Sequence, residues 1–338
     1  MTDHPAIRIE NVCIMFGDEP ESAMALADEG MSRADIQERT GQVLGVHDCS
    51  LDIAEGEILV LMGLSGSGKS TLLRAINRLN PITRGEVTIW CGGEPRQVGA
   101  AGEKSLREIR SSHVSMVFQQ FALLPWRSVA GNVSLVLEDH RLDRAARTAI
   151  VDDVLARTRL ADFRDALPKQ LSGGMRQRVA IAIALANDPE VLVADEATTA
   201  LDVTVQAQVL ALLHRLTEDR GTALLFISHD LALVGALCDR IAVLYAGQVV
   251  EEGPAAAMLA APAHPYTAKL LDCLPRRGGG PAPIAGLPPA SDSLPPGCAF
   301  APRCPRVQPA CSAGQVAMAP VAPARRARCL FPLAGKTA

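Results

Sequence analysis

Three stretches of the chain, Ile58–Met62, Val191–Ala194 and Ala223–Ile227, are apolar at every position, the pattern of short strands buried on both faces. Ile7–Phe16, with Ile7, Ile9, Val12 and Ile14 as its apolar positions, reads as another strand, and residues 46–53 as its partner before the turn at Glu55-Gly56. Residues 85–90 and 114–118 supply two more, and residues 241–245 and 248–251 a hairpin around Ala246-Gly247. Between these strands, residues 72–79, most of 133–165, 176–186 and 203–216 are expected to be helical, with 106–110 the end of a polar helix. Strands separated by helices predict an α/β protein.

Two stretches break this alternation. Residues 21–27 and 33–39, between the first two strands, have helical composition, with Gly30 as a stop and Ser32 as an N-cap. They read as a solvated decoration. Near the other end, residues 264–274 (HPYTAKLLDCL) predict a turn followed by an amphipathic helix, and the Pro/Gly-rich residues 275–296 predict a linker.

The 338 residues have room for one large or two small domains. A formal net charge of -4 and 3% aromatic residues weigh against a nucleic-acid partner. No apolar run approaches a bilayer span, and the start MTDHPAIRIE lacks the basic and apolar regions of a secretion signal, so a cytoplasmic protein is expected. Of nine cysteines, Cys13, Cys49, Cys91, Cys238 and Cys273 are scattered as small hydrophobes would be, while four cluster near the end.

The candidate chemistry begins at residues 63–71, GLSGSGKST, directly after a buried strand and before a helix. Gly66 and Gly68 let amides turn inward around phosphate oxygens, Lys69 reaches the β- and γ-phosphates, and Ser70 can ligate Mg²⁺. Gly63, Ser65 and Thr71 complete this cradle. A glycine-rich turn with a chance lysine fits the same letters, so the motif needs support from elsewhere in the chain. Residues 171–175, LSGGM, form a second loop-to-helix junction, suited to an anion or to ordinary capping. Asp195 and Glu196 come directly after an apolar strand, where two carboxylates repel unless a cation lies between them. Mg²⁺ brought by ATP is such a cation. His229 stands just beyond another buried strand at the corresponding edge and is read as functional. Strand 114–118 delivers Gln119 into a loop containing Phe121, Leu123, Leu124 and Trp126, which is either a contact surface or folds under its own helix. Phe16 is a ring for stacking on adenine or a core residue.

Taken in order, GLSGSGKST, VFQQ, LSGGM, VLVADE, TALD and ISHD resemble the motif series of ATP-binding cassette (ABC) transporter ATPases. The resemblance implies a P-loop NTPase cassette over residues 1–255: a RecA-like catalytic lobe, an antiparallel β subdomain and a helical lobe at about 125–180. It further implies a head-to-tail pair of cassettes holding two ATP molecules. In that scheme Lys69 and the loop amides hold phosphate, Ser70, Gln119 and Asp195 serve Mg²⁺, Glu196 activates water and His229 senses the γ-phosphate. Ser172, Gly173 and Gly174 reach the partner's nucleotide, and Asp202 couples the two sites. Met175 stands where the family usually has glutamine and Ala197 where it commonly has proline; neither change removes a ligand.

Residues 256–338 form an extension in which Cys298, Cys304, Cys311 and Cys329 lie close to several arginines. In a reducing compartment such thiols favour a metal over disulfides, and the spacing is unlike a zinc ribbon. HPYT followed by GCAFAPRCPRVQPAC resembles the extension of dipeptide and oligopeptide importer ATPases, which implies a 4Fe–4S cluster on these four cysteines. The resemblance is divided. Residues 7–130 are similar to choline and glycine betaine importer ATPases, and residues 168–333 to peptide importer ATPases. The larger share and the dedicated module favour peptides, with quaternary amines as the alternative. Either implies an energy-coupling subunit on the cytoplasmic face of the membrane, with a permease and a solute-binding protein as partners; a soluble, non-transport ABC ATPase is the third reading.

Overall fold

The computed structural model describes residues 4–29, 31, 33–196, 203–228, 231–273 and 297–333. They fall into two compact units that interleave along the chain. One joins Met1–Arg8, Asp52–Leu59 and Thr88–Leu237; the other joins Ile9–Leu51, Val60–Val87 and Cys238–Ala338.

In the first unit, strands Val114–Val117, Val191–Ala194 and Ala223–Ile227 pair in parallel, with Val117, Ala194 and Phe226 in register. Their residues are almost all buried, as the continuous apolar runs require. Because the strands are parallel and level, the residues just beyond each of them emerge at one edge. A helical cluster is built from Val129–Leu135, Arg144–Arg157 and Gly173–Leu185 around Val133, Val154, Leu155 and Val179. Ser128 and Asp143 cap the first two of these helices through their side-chain oxygens.

In the second unit, Arg240–Tyr245 turns through Ala246 and Gly247, with φ of 50° and 82°, into the antiparallel strand Gln248–Pro254. Two consecutive positive φ angles mark the primed turn that matches strand twist. The extension adds two strands that its sequence did not announce. Arg325–Ala327 pairs antiparallel with Gln248–Pro254, and Ala319–Ala322 pairs with Arg325–Ala327. The helix after residues 63–71 ends at Ala75, earlier than expected. Arg78 takes a φ of 52°, and the amides of Leu79 and Asn80 return to the Arg74 carbonyl at 2.9 and 3.1 Å, which closes the helix.

The insertion is not the solvated decoration expected of it. Pro20–Ala23, Met24–Asp28 and Arg33–Thr40 bury Ala23, Met24, Ala27 and Ile36 against Cys13, Met15 and Leu44. Asp28 receives two hydrogen bonds from the Arg84 guanidinium, at 2.5 and 2.7 Å. The expected stop and cap, Gly30 and Ser32, lie outside the described residues, as does the expected linker at 275–296.

Candidate functional site

The glycine loop belongs to the second unit. Gly63, Gly66 and Gly68 have φ of 146°, 76° and 99°, which side chains on L-residues rarely tolerate. At Gly63 a Cβ would also strike the Leu244 carbonyl, and at Gly68 it would come within 2.8 Å of the Gly45 carbonyl. The Gly247 amide donates to the Ser67 carbonyl of the loop at 2.8 Å, and the Gly247 carbonyl in turn accepts the His47 amide at 2.9 Å. Lys69 is buried, and its Nζ donates to the carbonyls of Gly63 and Leu64, both at 2.9 Å. The lysine thus folds over its own loop. Ser70 and Thr71 open the helix Lys69–Ala75, whose N-cap is Gly68 without a side-chain cap. Phe16 is partly exposed, and a Cβ on Gly45 would lie 2.9 Å from both its ring and the Thr71 methyl. Gly45 therefore separates the ring from the loop helix.

The acidic pair belongs to the first unit. Asp195 is buried, and its amide donates to the Val117 carbonyl at 3.0 Å, which anchors the end of one parallel strand to its neighbour. Glu196 has a φ of 49°, a left-handed conformation rare for glutamate, and accepts a hydrogen bond from Gln119 Nε2 at 3.1 Å. Buried Ser228 comes at the end of the adjoining strand. The sequence-predicted Gln119, Asp195 and Glu196 are thus brought together at the C-terminal edge of the parallel strands. His229 and Asp202 lie outside the described residues.

Ser172, exposed, caps the helix Gly173–Leu185 by accepting the Met175 amide at 3.3 Å, which leaves its hydroxyl proton free to donate outward. Gly173 is exposed too. Gly174 has a further reason to be glycine, since a Cβ there would strike the Val205 side chain. In the loop after Gln119, Leu123 packs against the helical cluster while Trp126 is 73% exposed. Leu123 thus folds under the loop's own helices, and Trp126 is left on the surface.

Cys298, Cys304, Cys311 and Cys329 line a single cavity with Phe300 and Phe331. Burial raises the pKa of Cys298 to about 11 and raises those of Cys304 and Cys329, and the neighbouring cysteines push in the same direction. Three of the arginines in the extension are committed elsewhere. Arg325 donates to Glu251, which is fully buried, at 2.6 and 3.1 Å; Arg326 pairs with Glu252; Arg328 reaches Asp48. Glu251 also accepts the amides of Ala263 and His264, each at 2.8 Å. This buried carboxylate was not legible, because a glutamate in a hairpin reads as solvated and its arginine is 74 residues away. Tyr266, fully buried, offers its hydroxyl to the Leu64 amide of the glycine loop at 3.0 Å and packs among Tyr245 and Phe300.

Comparisons with known proteins give the family. Residues 46–199 match the family model described as ABC transporter, and residues 250–311 the one described as oligopeptide/dipeptide transporter, C-terminal region. The chain is 44% identical over 279 residues to the probable D,D-dipeptide transport ATP-binding protein DdpD of Escherichia coli, an alignment covering 78% of this chain and 84% of that one. The chain belongs to the ABC transporter ATPases. The glycine betaine/carnitine transport ATP-binding protein GbuA of Listeria monocytogenes is 40% identical over 270 residues, covering 80% of this cassette chain and 67% of its own. An ATP-binding cassette solved as a dimer in a post-hydrolysis state with ADP and Pi is 30% identical, with a TM-score of 0.61 over 74% of this chain and 98% of that one. As an ABC ATPase the chain uses ATP and Mg²⁺. Among the described residues, no helix is long and apolar enough to cross a membrane.

Proposed function

We propose that this ABC ATPase is the energy-coupling subunit of an importer for di- or oligopeptides. The observation that carries the cargo is the extension, whose model match spans residues 250–311 and whose strand Arg325–Ala327 is paired into the cassette's own sheet. The betaine-like insertion supports quaternary amines as the alternative, and it is joined to the extension, since Gln315 Nε2 donates to the Asp28 carbonyl at 3.3 Å.

Lys69, Ser65, Thr71 and the amides around Gly63, Gly66 and Gly68 bind the ATP phosphates, and Phe16 stacks on adenine. Lys69 must leave the Gly63 and Leu64 carbonyls to do so, exchanging neutral acceptors for charged ones. Ser70, Gln119 and Asp195 hold Mg²⁺, which supplies charge neutralisation when bound. Glu196 takes the proton of the attacking water, its carboxylate positioned by Gln119. His229 donates to the γ-phosphate. Ser172, Gly173 and Gly174 complete the site of a second cassette, and Asp202 links the two. Phosphoryl transfer needs little covalent help, so these positions and charges carry the rate. The exposed Trp126 side of the loop is the face offered to a membrane permease, which places the subunit at the cytoplasmic face of the membrane. A solute-binding protein delivers the cargo to that permease.

The four thiols of the extension fit a 4Fe–4S cluster by donor chemistry, being soft sulfur ligands in an apolar cavity. Among the described residues there is no group of three or more His, Cys, Asp or Glu side chains that could hold a metal ion.

Affinity purification of the tagged chain from its native membranes tests the whole reading. Co-purification of a permease, with ATPase activity stimulated in proteoliposomes by a peptide-loaded binding protein, is the expected result. Stimulation by a quaternary amine instead would transfer the assignment to that cargo.

A further inference from the structure

In the first unit, the end of the helix Arg144–Arg157 meets the helices Gly173–Leu185 and Val203–Glu218 at a pocket of about 240 Å³ that the nucleotide chemistry does not use. Arg159, Arg178, Gln208, Ala211, Leu212 and Arg215 line it, so among the described residues no carboxylate lies on its wall. Arg178 donates to Gln208 Oε1 at 3.2 Å, which leaves the Gln208 amide nitrogen as a further donor. Every polar side chain of the pocket therefore offers donors, and three of the four are cations. Elsewhere in this unit guanidiniums find carboxylates, as Arg96 does Glu108, Arg164 Asp152 and Arg220 Asp188. Arg159 and Arg215 have no such partner among the described residues. Glu218, three residues beyond Arg215, pairs instead with His214 at 3.0 Å.

Arg159 also stands where glycine is usual. The Leu160 amide returns to the Leu155 carbonyl at 2.8 Å and the Arg159 amide to the Ala156 carbonyl at 3.1 Å, which closes the helix Arg144–Arg157 with Arg159 in the left-handed position at a φ of 58°. A side chain strains the backbone there, so the turn itself gives no reason for an arginine.

We propose that this pocket binds a phosphate-bearing anion. Three like charges around one small volume repel until a counter-charge enters. A phosphate brings up to two negative charges and several acceptor oxygens, enough to serve more than one guanidinium fork. Buried Leu212 and Ala211 form the remaining, apolar wall, so a phosphate ester fits as well as the free ion. A bound phosphate joins the ends of three helices and stabilises the folded unit. The inference stands apart from the transport reading, since it needs neither permease nor cargo.

The test uses the full chain with its phosphate loop filled by magnesium and a non-hydrolysable ATP analogue, so that added phosphate does not enter that loop. Calorimetric titration with inorganic phosphate at fixed ionic strength probes the soluble source, and flotation with phosphatidylcholine vesicles with or without phosphatidic acid probes the lipid source. Arg159→Gly suits the left-handed turn and Arg215→Gln changes an exposed side chain, so neither disturbs the fold. Arg141→Gln removes an exposed arginine that does not line the pocket. Each pocket variant should weaken binding by about 10-fold, with Arg141→Gln unchanged. Uptake of inorganic phosphate assigns the site to small phosphates, and flotation that needs phosphatidic acid without such uptake assigns it to a lipid headgroup; either supports the inference. Equal binding by wild type and both pocket variants, an equal loss in Arg141→Gln, or binding of neither probe overturns it.

Discussion

At the scale of single residues, the two carboxylates that matter most were read with very different ease. Glu196 was legible because a polar pair after an unbroken apolar run has no structural excuse, and the structure adds its left-handed φ of 49° and its bond from Gln119. With Gln at position 196, turnover should fall roughly 10²- to 10⁴-fold, the usual worth of a positioned base, while ATP binding persists. Parallel measurement of steady-state ATPase rate and equilibrium nucleotide binding checks this; near-normal turnover would remove Glu196 from its role. Glu251 was illegible, yet it is fully buried and satisfied by Arg325 and two amides. Arg325→Met should cost about 3–5 kcal/mol, because it leaves a buried charge unpaired. Adding Glu251→Gln to that variant should recover most of the loss in a chemical-denaturation series, since the charge then disappears.

Among the elements, strand positions were clear wherever apolar runs were continuous, and Val191–Ala194 and Ala223–Ile227 fell where the sequence put them. The extension's two strands were missed because Ala319–Ala322 and Arg325–Ala327 are short, and Ala-, Pro- and Arg-rich. Arg325 and Arg326 tie the second of them to the neighbouring strand through Glu251 and Glu252, pairings that no local pattern displays. The insertion's packing was hidden for a similar reason: its apolar residues cover only one side of very short helices. Asp28 fastens that insertion to Arg84, whose hydrogen bonds hold the Asp28 pKa below the usual carboxylate value. A depressed folded-state pKa means the pair stabilises above the unfolded value near 3.8 and is lost as pH falls through the lower one. Both side chains are 45% exposed, so Asp28→Asn should cost about 1 kcal/mol or less. Melting temperatures of variant and wild type should differ at pH 7 and converge toward pH 2.

The helix Pro265–Asp272 is the element whose role the sequence least foretold. Its Tyr266 hydroxyl, a neutral phenol because burial pushes its pKa up to about 12, holds the Leu64 amide inside the phosphate loop. Tyr266→Phe keeps the ring among Tyr245 and Phe300 but leaves that amide unpaired, a change worth about 1–3 kcal/mol. If roughly half of that reaches the loop's bound conformation, the dissociation constant for MgATP rises about 3- to 10-fold. Equilibrium titration with a fluorescent ATP analogue would show it, and an unchanged constant would mean that the hydroxyl supports only the fold.

For the molecule as a whole, the sequence suggested a cassette followed by an extension with a linker, and that extension shares a compact unit with the phosphate loop. Removing residues 297–338 would do three things at once. Glu251 and Glu252 would lose Arg325 and Arg326, the strand Gln248–Pro254 would lose its neighbour, and Tyr245 and Tyr266 would lose the cover of Phe300. The first alone costs about 3–5 kcal/mol, and the second exposes a row of unpaired backbone groups that invites aggregation. At roughly 2–4 °C per kcal/mol for a chain of this size, the melting temperature should fall by about 10 °C or more. The truncated protein should also be poorly soluble, since the exposed strand edge is open to pairing with other copies. A domain joined only by its linker would give the opposite result, a soluble cassette with wild-type melting temperature and ATP affinity. Calorimetry of the two lengths side by side therefore decides whether the extension is cargo-specific ornament or part of the machinery that holds the nucleotide loop in shape.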